Sequence, residues 1–198
     1  MGLPLEKPAY LTPEDYLRQE RQAEFKSEYY RGEVFAMSGA RLEHNRLVAN
    51  LIISLGARLS GSGCEVFPSD LRLHIPETTL YTYPDVMVVC GKPEMLDEEF
   101  DTLLNPRLIV EVQSESTANY DRGNKAMLYR RIASLQDYVM IDSTMLSAAV
   151  LSRTAEEGVW NLRETTKSTD ELILPSLGLR LPLEEVYRGV DFNEQNNK

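Results

Sequence analysis

Asp85, Glu111, Gln113 and Lys125 stand where a folded chain ordinarily puts apolar side chains. Asp85 heads the run YPDVMVVC, and Glu111 lies inside PRLIVEVQ. A glutamate within such a strand is costly to bury without a partner. A basic neighbour, an exposed strand end or a metal ion would each reconcile it. Side chains alternate along a strand, so Ile109, Glu111 and Gln113 share one face, with Leu108, Val110 and Val112 on the other. Asp85 precedes Glu111 by 26 residues, room for one loop between adjacent strands. Two carboxylates on adjacent strands can converge on one hard divalent cation. Mg²⁺ takes one or two carboxylates and keeps its other positions for water and phosphate oxygens. It acidifies water and neutralises charge developing on a phosphoryl group. Gln113 points into the same cleft and could orient a water. Lys125 falls on one stripe with Asp121, Leu128 and Ile132 in the helical stretch STANYDRGNKAMLYRRIAS. There it either snorkels to the surface or aims its ammonium at the strand end to stabilise pentacovalent charge.

The elements that must position these residues can be read in order. LTPEDYLRQERQ opens a helix, with Thr12 as cap, Pro13 in the first turn, and Glu14 and Asp15 at the positive end. KSEYYRGEVFAM is a hairpin turning at Arg31-Gly32. ARLEHNRLVANLIISLGARLSG is a long helix, with Val48, Leu51, Ile52, Leu55 and Leu59 inward and GSG as its stop. His44 lies on that inward face near the helix start, able to touch a phosphate or to serve as a hydrogen-bonded boundary histidine. CEVF, DLRLHI, YPDVMVVC and RLIVEVQ read as strands, the last apolar on both faces as in a sheet covered on both sides. QDYVMID, SAAVLSRT and GVWNLRET follow as strands after the second helix. The order is that of a mixed α/β domain with a central sheet flanked by helices. One domain is expected over 1–190, with a frayed tail over 191–198.

Composition narrows the choice of function. The 198 residues, 42% hydrophobic and 26% charged, suit one globular domain. No run approaches the roughly 20 apolar residues of a membrane span. The N-terminal segment lacks a signal-peptide core, so a cytoplasmic location is expected. Cys64 and Cys90, without CxxC spacing, read as buried free thiols. A net charge of −10 speaks against broad nucleic-acid binding, yet RGNKAMLYRR is locally basic. Asp70 reads as a turn aspartate or a third acid near the metal, and His74 as exposed or structural. Asp121 and Arg122 fix the helix start, and Arg122 can also contact phosphate. Trp160 reads as core packing.

PD, then a strand and loop, then a glutamate on the next strand is the pattern of the PD-(D/E)XK nuclease superfamily. YTYPDVMVVCG, LLNPRLIVEVQSESTANYDRGNKAMLYRRIASLQDYVMID and LPSLGLRLPLEEVYRGVDF together resemble the Uma-two family of restriction endonucleases. The resemblance covers the chain from about EYYRGEVFAMSGARLEHNRL to GVDF. It implies a restriction-endonuclease-like fold with additional C-terminal strands, and Mg²⁺-dependent phosphodiester hydrolysis, with Mn²⁺ able to substitute. DNA is the implied substrate and a homodimer the implied assembly. Asp85 matches the PD aspartate and Glu111 the second metal carboxylate, with the Val112 carbonyl as a third oxygen. Gln113 stands where the superfamily has lysine and where relatives commonly have leucine. Lys125, in the DRGxK stretch, matches the migrated lysine. Superfamily nucleases often add a carboxylate from an N-terminal element, for which Glu33 is the candidate. The competing readings are a nuclease-fold module that binds without turnover, and a two-carboxylate glycosidase, which one tryptophan supports poorly.

Overall fold

The computed structural model describes residues 10–114 and 118–192. Helix α1 (Pro13–Glu20) begins as its sequence dictates: the Thr12 hydroxyl accepts the Asp15 amide at 3.2 Å, with Pro13 in the first turn. Strands β1 (Ser27–Tyr30) and β2 (Glu33–Ala36) pair antiparallel with Tyr30 opposite Glu33. Arg31 and Gly32 form the turn with φ of 49° and 92°, the double left-handed geometry that suits the twist of a two-residue hairpin. Helix α2 (Leu42–Leu59) buries Leu47, Leu51, Leu55 and Leu59, one residue per turn. Val48 and Ile52 pack at the margin of that stripe.

Six strands make the main sheet. They are β3 (Cys64–Pro68), β6 (Val86–Cys90), β8 (Leu108–Gln113), β9 (Asp137–Asp142), β10 (Ala148–Arg153) and β11 (Trp160–Thr165), with β8 in the middle of the order β11-β10-β9-β8-β6-β3. β8 and β9 are parallel and the other pairs antiparallel, so the sheet is mixed. A second sheet has the order β2-β1-β5-β4-β7, adding β4 (Arg72–Ile75), β5 (Leu80–Thr82) and β7 (Thr102–Leu103). β12 (Glu171–Leu174) and β13 (Leu179–Pro182) form a C-terminal ribbon, followed by α5 (Leu183–Val186).

Every residue of β8 is buried. Leu108, Val110 and Val112 pack with α2 and the C-terminal ribbon, while Ile109 packs on the opposite side with residues of β4, β5 and the second helical segment. Glu111 and Gln113 continue the row of Ile109, so the strand's period brings its two polar residues to the side facing the second sheet.

The second helical segment is shorter than its sequence suggests. It consists of α3 (Ala118–Tyr120), a π-helical turn (Asp121–Lys125) and α4 (Ala126–Tyr129). Gly123, a poor helix former, sits in the π turn. Asp121, Lys125 and Leu128 all face inward, and Ile132, also buried, lies past the helix end. The expected helix start at 116–117 lies outside the described residues, as do the N-terminal segment 1–9 and most of the expected frayed tail. Trp160 is half-buried on the edge strand β11 beneath the Arg153 guanidinium, 4.7 Å from its ring centre.

The cysteines depart from expectation. Cys64 and Cys90 are joined in a disulfide, because the β3–β6 register sets them directly opposite each other with Cα atoms 3.9 Å apart. No helix of the described residues is long and apolar enough to cross a membrane.

Candidate active site

Asp85 lies at the bend that feeds β6. Extending the antiparallel register Val86↔Val110 by one position sets Asp85 opposite Glu111. Asp85 Oδ2 accepts the Val112 amide at 2.8 Å, which pins the head of β6 to the end of β8. His44, in the first turn of α2, brings Nε2 to 3.2 Å from the same oxygen. A carboxylate oxygen accepts, so Nε2 carries the proton and Nδ1 is left buried without a partner.

Glu111 is only 5% exposed. Its Oε1 accepts the Tyr129 hydroxyl at 2.6 Å and the Lys125 ammonium at 2.9 Å. Lys125 also reaches Glu28 Oε1 at 3.1 Å and lies 4.0 Å from Asp121 Oδ1. The Thr82 hydroxyl donates to Glu28 from the neighbouring strand β5. Glu28 and Thr82 belong to the second sheet, Glu111 to the first and Lys125 to the helical segment, so one ammonium ties three elements together. Like charges facing across strands repel, and here three acids crowd one cation with Asp85 close behind.

The titration behaviour follows from that crowding. Burial, with Asp85 and Asp121 adding to it, pushes the Glu111 carboxyl up to about 8 against the pull of Lys125 and Tyr129. Burial disfavours the Lys125 charge, but Glu111, Glu28 and Asp121 outweigh it and hold the ammonium well above its ordinary value. The surrounding acids therefore favour the charged form of Lys125.

Gln113 is 1% exposed. Its Oε1 accepts Arg122 Nε at 3.2 Å. A guanidinium only donates, so this contact fixes the amide orientation and leaves Nε2 buried without an acceptor. The Gln113 carbonyl accepts both the amide and the hydroxyl of Ser143, at 2.9 and 2.7 Å.

Two expected acids are elsewhere. Glu33 lies on β2, an edge strand exposed at every residue. Asp70 is exposed in a turn and pairs with Lys26. Neither is within reach of Glu111 or Lys125 in these contacts. The N-terminal carboxylate at the cluster is Glu28, on the other arm of the hairpin. The sequence signal for it was the aromatic pair Tyr29-Tyr30 beside it, which marks β1 as the covered arm. His74 is structural: it is buried, Nδ1 is 3.0 Å from the Leu80 carbonyl oxygen, and the ring stacks on Tyr81 at 3.9 Å.

The profile of Uma2, described as "Putative restriction endonuclease", matches residues 13–184. The chain belongs to the Uma2 family. Every residue of the cluster lies within the matched span. Among relatives, the uncharacterised Synechocystis protein slr1290 is 37% identical over 182 residues, covering 92% of this chain and 94% of its own length. A second uncharacterised Synechocystis protein, sll1609, is 43% identical over 132 residues, covering 67% of this chain and 75% of its own. Among solved structures, a crystal structure from Anabaena variabilis described as "a putative nuclease belonging to DUF820" superposes with a TM-score of 0.72. It has 17% sequence identity and covers 89% of this chain and 97% of that one. At that identity the likeness is one of fold, and the fold is restriction-endonuclease-like.

The donor set suits a hard cation. The hydrogen bonds of Asp85 fall on Oδ2 and those of Glu111 on Oε1, which leaves one oxygen of each without a protein donor among the described residues. Among those residues no group of three or more His, Cys, Asp or Glu is arranged to hold a metal. Any ion here must rest on two carboxylates and main-chain or water oxygen, which is the habit of Mg²⁺.

Proposed function

We propose that this Uma2 chain is a Mg²⁺-dependent endonuclease that hydrolyses phosphodiester bonds of DNA and works as a homodimer. The observation that supports it above others is the crowding of acid at two strand ends: half-buried Asp85 and buried Glu111 stand opposite each other, and among the described residues only His44 and Lys125 reach them as bases, Lys125 being shared with Glu28. Asp85, Glu111 and the Val112 carbonyl would hold the ion. When bound, it supplies Lewis-acid neutralisation of phosphoryl oxygen and an acidified water.

The protein's own residues do the rest. The Val112 amide and His44 hold the Asp85 carboxylate in one orientation, so its second oxygen needs no reorganisation to ligate. Lys125, fixed between Glu111 and Glu28, presents a permanent positive charge to negative charge developing at phosphorus. Gln113, oriented by Arg122, offers an amide donor beside Glu111. A dimer would bring two such sites to the two strands of a duplex.

Calorimetric titration of Mn²⁺ and Mg²⁺ into the wild type and Asp85→Ala, with nicking of supercoiled plasmid followed in the same samples, tests this reading. Binding and nicking that vanish together in the variant are the expected result. A wild type that binds neither ion overturns it. A second reading keeps the fold for binding alone, and Gln113 in place of the superfamily lysine favours it. Metal binding without nicking of DNA or RNA would select that reading.

A further inference from the structure

A depression of about 400 Å³ opens between the β1–β2 hairpin and α4, its lining including Tyr30, Arg31, Glu77, Met127, Leu128 and Arg131. Its place follows from two periodicities. Glu28 and Tyr30 are two residues apart on β1 and share a face. Lys125 and Leu128 are three apart and face inward together. The depression therefore continues the rows that begin at the acid cluster.

Two arginines stand at its rim, and what sets them apart is their place beside the acid cluster, since most arginines among the described residues, Arg41, Arg46 and Arg163 among them, make no ion pair. Among the described residues no carboxylate lies within ion-pair distance of Arg31 or Arg131, although Glu77 lines the same depression. The Arg31 guanidinium lies over the Tyr30 ring, 5.1 Å from its centre. Its backbone adds a second observation. Arg31 has φ of 49°, a conformation that costs an ordinary L-residue about 1 kcal/mol or more. Turns of this kind prefer Asn-Gly. This one carries Arg-Gly, so the fold bears a local cost that places a cation at the rim.

We propose that this depression is a subsite for the nucleic-acid backbone flanking the cleaved bond. The forked guanidinium groups of Arg31 and Arg131 bind the oxygens of a flanking phosphate, and Tyr30 and Leu128 form the floor beneath its sugar and base. Glu77 is a repulsive charge at the rim that weakens the contact. The assignment rests on the nuclease reading for what lies in the cleft.

Fluorescence anisotropy with a short labelled DNA oligonucleotide, in EDTA and in Ca²⁺, tests it across a range of salt. Arg31→Asn suits the turn better than the native residue, so its melting temperature should hold or rise. Binding should nevertheless weaken roughly five- to tenfold and the salt slope fall by about one. Arg131→Gln should do the same, the two losses should add, and Glu77→Gln should tighten binding. Mn²⁺ affinity should be unchanged in all three. A double Arg31→Asn, Arg131→Gln variant that binds like the wild type overturns the subsite. So does a wild type that binds Mn²⁺ but no oligonucleotide, which leaves the metal site standing. Arginine-dependent oligonucleotide binding without Mn²⁺ binding or nicking keeps the two arginines as a backbone-binding site but overturns both the nuclease reading and the placement of that site beside a cleaved bond.

Discussion

Arg72 and Lys125 are both cations buried in this chain, at 3% and 7% exposure, and each stands at the centre of a cluster that holds more than one acid. Arg72 donates to Asp101 at 2.7 Å, and Arg21 completes the group by reaching Asp101 at 2.8 Å and Asp97 at 2.7 Å. Two guanidinium groups meet two carboxylates, and the account balances. Hydrogen bonds from Arg21, with Thr102 and Arg72 adding to them, hold the Asp101 carboxyl down to about 2. Around Lys125, one ammonium meets Glu111, Glu28 and Asp121 with Asp85 behind, and the central acid moves the other way, up to about 8. Both clusters use the same chemistry. A balanced cluster fastens loops and strands together, whereas the acid-rich one has more carboxylates than cations among the described residues, which is what the proposed ion would offset.

The largest effect expected is that of Lys125→Met. It takes the ammonium from buried Glu111 and should cost about 3–5 kcal/mol, a fall of roughly 10 °C in melting temperature, and it should end nicking. Arg72→Met should cost less, about 1–3 kcal/mol, because Asp101 keeps Arg21. Equal losses in thermal melts would erase the distinction between the clusters.

Added divalent ion should come next in size. Mn²⁺ at a hundred times its dissociation constant should stabilise the wild type by about 2.7 kcal/mol, in a melt read by circular dichroism. Asp85→Ala should show no such gain, and Asp101→Asn should show all of it. A gain of equal size in Asp85→Ala would place the ion elsewhere.

The two clusters should also answer pH in opposite senses. Asp101 is depressed from its ordinary 3.8 to about 2, so its stabilisation is complete above 3.8 and is lost as pH falls through about 2. Glu111 is raised from 4.5 to about 8, so the stability tied to its protonated form is complete below 4.5 and is lost as pH rises through about 8. In EDTA, wild type should lose stability relative to Glu111→Gln across that upper window, and Mn²⁺ should reverse the trend. A wild type that gains on Glu111→Gln as pH rises would mean that Lys125 keeps Glu111 ionised and that no charge is wanting. The smallest effects belong to Asp70→Asn and Glu33→Gln, each within about 0.5 kcal/mol and each with nicking unchanged.

What was legible in the sequence tracks how local the signal is. The α1 cap, the Arg31-Gly32 turn and the two faces of β8 follow from neighbouring residues, and each formed as read. The sequence reading had Asp85, Glu111 and Lys125 facing one cleft, and the fold sets all three in one cluster, because strand alternation and helical spacing survive folding. The sequence reading named Glu33 and did not consider Glu28, since each hairpin arm carries a glutamate and only the sheet order reveals which arm is covered. The disulfide was missed for a related reason: the spacing of Cys64 and Cys90 says nothing until β3 and β6 pair in register. The π turn hid behind an ordinary helical stripe, since Asp121 and Lys125 face inward in either geometry and only Gly123 hinted at a break.

The span of chain that Lys125 ties together has a consequence for how the protein is made. Glu28 leaves the ribosome long before Glu111, and Glu111 before Lys125, so no nascent fragment that ends ahead of the π turn can hold the complete cluster. Contacts so distant in sequence close late and slowly. Only a chain made past the π turn can assemble this cluster, and a truncated or stalled product carries the acids without the ammonium that organises them.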